Sequence, residues 1–503
     1  MITSRTVEAN DGLALLEQQQ DFDVVVVGAG GAGATAAIEA AELGASVIVL
    51  EKTGVSGGNT QDSGGSFRLI ADREGAIEHY WSLCQGTTPR DVIEVFIDGL
   101  IDLPAWVEAH GGRLAGESGA KNYSRWVFPA RGPGTSFPEM PGADSLGQRV
   151  YIQPTMPGRR RGAALWDFLS RNLTRLGVPV VLNARVTKLS EQDRPRAVVG
   201  VEVESSNGTR AIRARSGVIL CSGGFAYDQA LMKQYLGLAL PAMSTPARAS
   251  GDGIRMAQGV GADLWHMSGV SMTVGYKFPD LEAGFHCRIP AYGFIMVDQK
   301  ARRYVSETDL EGHSAHLAML VQDPISGAYT RAPSFVVLDE ATRKAGPMAA
   351  DEFGENRHYS WSKDNSAEIE RGWIHRANTV DELAHILGLP SSELKRSVDE
   401  FNLCATTVSG VDPLGRSSER MRPIVTPPFY GVAVYPSLVN TQGGPRRDAR
   451  SAIIRPDGSP IPGLFAAGEL GSIWNRLYPG AGNLSECLVF GRVAGRNAVT
   501  GAS

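Results

Sequence analysis

The stretch Asp23-Val24-Val25-Val26-Val27-Gly28-Ala29-Gly30-Gly31-Ala32-Gly33 decides the fold of this 503-residue chain. Four consecutive valines predict a strand buried on both faces, as in a parallel sheet. The G-x-G-x-x-G turn of Gly28, Gly30 and Gly33, with Gly31 and Ala32 inside it, lets backbone approach a pyrophosphate. Ala34 to Leu43 predicts a helix whose N-terminus faces that group. Ala45-Ser46-Val47-Ile48-Val49-Leu50-Glu51 predicts the second strand, and Glu51, 18 positions past Gly33, stands where a carboxylate accepts ribose hydroxyls. Strand, glycines, Ala-rich helix, second strand and terminal acid, in that order, predict a dinucleotide site. An ordinary Gly-rich βαβ turn explains neither the three glycines nor the acid.

A nicotinamide-binding unit continues here into a third strand and helix. This chain instead runs Lys52-Thr53-Gly54-Val55-Ser56-Gly57-Gly58-Asn59-Thr60, then Ser63-Gly64-Gly65. Small and hydroxyl residues in such density suit a backbone pressed against a flavin and its phosphates. A buried strand, Gly217 to Cys221, ends in Ser222-Gly223-Gly224, again the signature of close backbone approach. Near the other end, Ile461-Pro462-Gly463-Leu464-Phe465-Ala466-Ala467 predicts a short strand closed by Gly468-Glu469.

With 43% apolar residues and 59 glycines, the chain suits a large α/β core in two domains. A net charge of -5 supports neither nucleic acid nor an anionic membrane as partner. The five cysteines are widely spaced, with no C-x-x-C pair, no haem-attachment motif and no metal-ligating cluster, and read as reduced core thiols of a cytoplasmic protein. The N-terminus lacks the apolar segment of a signal peptide. The longest apolar stretch, Val24 to Ile38, stops at Glu39 and Glu42, so no membrane span is expected.

Ala76 to Glu108 carries helical periodicity, Gly111 to Gly162 breaks into Gly, Pro, Arg and aromatic residues that suit a loop system lining a cleft, and Leu165 to Leu176 is an amphipathic helix. Ala197 to Ser205 and Arg210 to Arg215 predict a hairpin. The reading divides the chain into a first flavin-domain segment at 1–267, a substrate-capping domain at 268–427 and a C-terminal flavin-domain segment at 428–503.

The Gly28–Gly33 turn, the Lys52–Gly65 run and the Gly468-Glu469 closure together resemble the superfamily of fumarate reductases and 3-ketosteroid dehydrogenases, over about Asp21 to Val499. The resemblance implies an α/β fold: a Rossmann-like FAD-binding domain on a parallel sheet, with an inserted α+β substrate-capping domain. It implies noncovalent FAD, no flavin-attachment motif being present. It further places Lys52, Val186, Asp252, Asn483 and Leu484 against the cofactor.

Two segments carry the chemistry implied. Asn440-Thr441-Gln442-Gly443-Gly444 matches the His-Thr-x-Gly-Gly of fumarate reductases with Asn440 in place of the carboxylate-holding His. The acid-donating Arg of those enzymes falls at Glu311, four residues past Glu307. Both departures remove positive charge that a dicarboxylate needs. Tyr478-Pro479-Gly480-Ala481-Gly482 resembles the Tyr-Pro-Gly-x-Gly of 3-ketosteroid dehydrogenases, whose Tyr hydroxyl and second Gly N–H bind the substrate ketone. Two donors aimed at a carbonyl stabilise the enolate that α-proton removal creates. A rival alignment takes Asn475-Arg476-Leu477 as a carboxylate clamp through Arg476. The base stays open among Tyr292, Tyr304, Glu311, His313, Tyr123 and Tyr151, the last two also being candidate substrate contacts; His313 is the one that titrates near neutrality without perturbation.

The expected function is FAD-dependent desaturation of a cyclic ketone or keto acid, a steroid or a 4-oxocyclohexanecarboxylate-like ring, with electrons passing to a quinone-like or other external acceptor. The alternative is an ene-reductase of an unsaturated carboxylate.

Overall fold

Val24 to Val27 are buried in the strand Asp21–Val27, flanked in parallel by Val47–Leu50 on one side and Gly208–Leu220 on the other. Each valine so enclosed is worth about 1.5–3 kcal/mol of transfer free energy. The computed structural model describes residues 16, 20–116, 137–193, 196–205, 208–243, 248–349, 359–407 and 411–501.

The first sheet has eight strands, six of them ordered Ala452–Ile454, Pro460–Ala466, Gly208–Leu220, Asp21–Val27, Val47–Leu50, Val180–Val181, while Arg196–Ser205 pairs with Gly208–Leu220 and Arg185–Asp193 with Arg196–Ser205. Its centre is parallel, which requires helices on the faces. The helix Gly31–Glu42 packs against the C-terminal helix Gly482–Thr500 at a distance only glycine permits: a β-carbon on Gly495 would lie 2.3 Å from Ala36 O, and one on Gly491 2.8 Å from Ala32 O. The hairpin expected at 197–215 is present, but its second arm does not end there. It continues as one 13-residue strand to Leu220, antiparallel to Arg196–Ser205 from Gly208 to Arg213 and parallel to Asp21–Val27 from Arg213 to Leu220.

A second sheet of six strands is antiparallel, ordered Phe285–His286, Val270–Tyr276, Phe429–Thr441, Ser334–Asp339, Phe294–Val297, with His375–Ala377 also on Phe429–Thr441. The central strand Phe429–Thr441 lies beyond residue 427, yet all its ladder partners belong to this second sheet. Its far end delivers Asn440 and Thr441 to the first sheet, where Thr441 N–H donates to Glu469 at 3.2 Å. A third sheet, Leu114–Gly116, Leu146–Ile152 and Ser66–Ile70, aligns Arg149 and Tyr151 at period two on one strand.

Beneath the second sheet sits a buried charge cluster. Arg303 binds Glu307 (2.8 Å) and Asp412 (2.7 Å), and Arg416 reaches Glu307 at 3.3 Å. Glu307 also accepts the Met296 N–H at 3.1 Å. Fully enclosed, it anchors the start of the 308–313 segment to the sheet.

Candidate active site

One elongated cavity runs from the Gly28 turn to Tyr478. At its first end Gly28 has φ +105°, and a β-carbon there would lie 2.4 Å from Cys221 O, so only glycine fits. Glu51 accepts the Ala29 N–H at 3.0 Å and the Thr53 N–H and hydroxyl at 2.9 Å each, which fixes its carboxylate at the strand end. Lys52 and Arg185 each bind Asp252 at 3.1 Å. Burial works to raise the Asp252 carboxyl, but Lys52, Ser250 and Arg185 outweigh it and hold it below the ordinary carboxylate range. Gly30, Gly31, Ala32 and Val186 line this end, while Gly33 sits inside the helix, its α-carbon against Gly28 O.

Along the middle, Gly58, Asn59, Thr60, Ser63, Gly64, Gly65, Ser222, Gly223, Gly468 and Leu484 form the wall. Gly224 stands behind it, where a β-carbon would strike Thr441 Oγ1 and Glu469 Oε1. Glu469 is pushed up to about 7 by burial, opposed by hydrogen bonds from Thr441, Asn59 and Gly224. Four wall atoms are buried without a partner: Asn59 Oδ1, Ser222 Oγ, Asn440 Oδ1 and Asn483 Oδ1. Unsatisfied buried oxygens cost about 1–3 kcal/mol each. A ligand rich in hydroxyl and N–H groups fits such a wall, and a flavin with its ribityl chain is one.

At the far end Tyr478, 6% exposed, packs edge-on against Trp474 (ring centroids 6.3 Å) and His313 (5.0 Å). Its oxygen accepts the Asn483 N–H at 3.1 Å, in the first turn of the helix Gly482–Thr500. Burial raises the phenol above its ordinary value, which keeps the hydroxyl protonated. Gly482 itself is off the cavity wall, at the first position of that helix; a β-carbon there would lie 2.8 Å from the Trp474 ring. His313 Nδ1 lies 3.1 Å from Glu311 Oε1, and Glu311 Oε2 accepts the His313 N–H (2.7 Å) and the Ser314 hydroxyl (3.0 Å). The carboxylate thus fixes the imidazole with Nδ1 toward Glu311. Asn440 and Tyr151 also line this end.

Three expected residues are not brought here. Tyr292 is absent from the cavity wall and its carbonyl is tied to Arg416 at 2.7 Å, because it precedes the strand Phe294–Val297 on the far side of the second sheet. Arg476 is exposed and off the wall: the irregular 475–479 segment turns Tyr478 inward and Arg476 to solvent. Tyr304 is held by Ser334 at 2.7 Å, also off this wall. Tyr123 lies outside the described residues. Among the cavity residues not foreseen are Arg149 and His286. Period-two spacing from Tyr151 was a signal for Arg149; His286, pushed down to about 3 by burial and then by the charges of His313 and Arg288, had none.

Residues 23–484 match the model of the FAD binding domain family, and the chain belongs to that family of FAD-binding flavoproteins. The 3-oxosteroid 1-dehydrogenase of Mycolicibacterium smegmatis is 27% identical over 94% of this chain and 96% of its own length. The 4-oxocyclohexanecarboxylate 2-dehydrogenase of Sinomonas cyclohexanicum is 28% identical, covering 94% and 92%. The chain spans half the length of another relative, the NADH:acrylate oxidoreductase of Vibrio harveyi, at 27% identity over 95% of this chain. In fold it is similar to the crystal structure of 3-ketosteroid delta1-dehydrogenase from Sterolibacterium denitrificans in complex with 1,4-androstadiene-3,17-dione, with a TM-score of 0.80, 21% identity and coverage of 96% and 100%. The chain is an FAD-dependent oxidoreductase of the ketosteroid dehydrogenase and fumarate reductase family, of the class acting on carbon–carbon bonds. No described helix is long and apolar enough to cross a membrane.

Proposed function

We propose that this chain desaturates a cyclic ketone at the α,β carbon–carbon bond. The observation that carries the reading is Tyr478. Its oxygen already accepts the Asn483 N–H at 3.1 Å, so its own proton is left to donate to a substrate carbonyl. The helix Gly482–Thr500 starts beside it, with Ala481 and Asn483 on the cavity wall. Negative charge growing on the ketone oxygen is further favoured by that helix N-terminus.

Loss of the α-proton needs a base beside Tyr478. His313, in edge contact with the Tyr478 ring and oriented by Glu311, takes the proton on Nε2. Bound FAD supplies the acceptor for the β-hydride. Asn440, Tyr151 and the unprotonated His286 complete the wall against which the ring lies. Electrons then leave to an external acceptor of quinone type. The reductive alternative, an unsaturated carboxylate clamped by Arg476, has less support, because Arg476 is exposed outside the cavity.

Anaerobic mixing of the holoprotein with 4-oxocyclohexanecarboxylate, 4-methylcyclohexanone or a 3-ketosteroid tests the reading. Bleaching of the oxidised flavin by at least one ketone is expected. Flavin that no ketone bleaches, but that is reoxidised by enoates after chemical reduction, would sink it.

A further inference from the structure

Arg149 has no role in the chemistry above, yet it stands in the same end of the cavity. A β-carbon on Gly480 would lie 2.9 Å from Arg149 Nη2 and 3.6 Å from His313 Cε1, so guanidinium, imidazole and the Tyr478 turn meet around one glycine. The charge reaches Tyr478 electrostatically. Other arginines of the cavity have counter-charges: Arg248 binds Asp62 at 2.7 Å and Arg185 binds Asp252 at 3.1 Å. Among the described residues Arg149 has neither an ion pair nor a hydrogen bond through its side chain. A half-buried cation without a counter-charge is unfavourable, and a planar guanidinium is suited to two parallel hydrogen bonds from one carboxylate.

Tyr151, His286, Glu311, His313 and Asn440 line the same cavity as Tyr478, together with Met243 and Val439. A ring bearing a carboxylate would meet a guanidinium with no counter-charge there, which a neutral steroid would leave unpaired. We propose that Arg149 binds the carboxylate of the substrate, making this protein a dehydrogenase of small cyclic keto acids rather than of steroids. The proposal rests on the ketone reading for the reaction, but not for the anion site itself.

Binding to the FAD-loaded protein tests it without turnover. The probes are 4-hydroxybenzoate and its neutral counterpart 4-methylphenol, neither of which is a substrate for desaturation, each followed by the shift in flavin absorbance. A hydrogen-bonded charge pair predicts that Arg149→Met raises the Kd of 4-hydroxybenzoate about 10- to 100-fold. The Kd of 4-methylphenol should stay within about twofold, and Arg149→Lys should recover part of the loss. FAD content and melting temperature report whether the variants are folded. Equal effects on both probes, no effect on either, or no 4-hydroxybenzoate binding by the unaltered protein at millimolar concentration overturns the proposal. So does a kcat loss for neutral 4-methylcyclohexanone as large as for 4-oxocyclohexanecarboxylate, which would assign the guanidinium to the ketone oxygen. If no ketone bleaches the flavin while carboxylate binding still depends on Arg149, the desaturase reading falls and the anion site stands.

Discussion

Replacing Tyr478 by Phe removes one oxygen and leaves the ring. The edge contacts to Trp474 and His313 persist, and the side chain remains enclosed. Two consequences follow from the geometry. The proposed substrate ketone loses the phenolic donor, and removal of one such donor costs about 10²–10³ in rate, roughly 3–4 kcal/mol. The Asn483 N–H also loses its acceptor, although at a helix start it is among the N–H groups that water or a ligand satisfies. The loss should therefore fall on kcat far more than on Kd, because the hydrogen bond strengthens as charge develops on oxygen. Anaerobic stopped-flow measurement of flavin bleaching at saturating ketone separates the two. A Tyr478→Phe protein that retains FAD and reduces it within threefold of the unaltered rate would refute the oxyanion role, and with it the argument that the N-terminus of the last helix faces the reacting carbonyl.

His313→Ala should lower the bleaching rate about 10²–10⁴-fold, the range for a lost general base. Glu311→Gln should lower the bleaching rate less than His313→Ala does, since in this reading Glu311 orients His313; an unchanged rate would count against the pair. Glu469 gives a stability test. With its folded value raised from 4.5 to about 7, the folded flavin-free protein holds one more proton than the unfolded chain between those limits. Its contribution to stability is greatest below about pH 4.5, declines as pH rises through the window and levels off above about 7. Glu469→Gln should flatten that part of the curve of melting temperature against pH, and an identical slope in both proteins would contradict the assignment.

What the sequence alone determined was local. Val24 to Gly33 and Glu51 lie within thirty residues, and the strand, turn, helix and terminal acid follow from periodicity and from the backbone freedom of glycine. The same holds for Gly468-Glu469 and for Tyr478 with Gly482, whose spacing is set by a short turn into a helix. What only the tertiary structure decided was which distant side chains share one space. Arg149 arrives on a strand of the third sheet, His313 from a segment anchored by the buried Glu307 cluster, and both meet at Gly480. Arg476 and Tyr478 are two residues apart, yet one faces solvent and the other the cavity. In irregular backbone no period fixes side-chain direction; it is set by the partners each residue finds, here Trp474 and His313 for Tyr478, and those come from parts of the chain that only packing brings together.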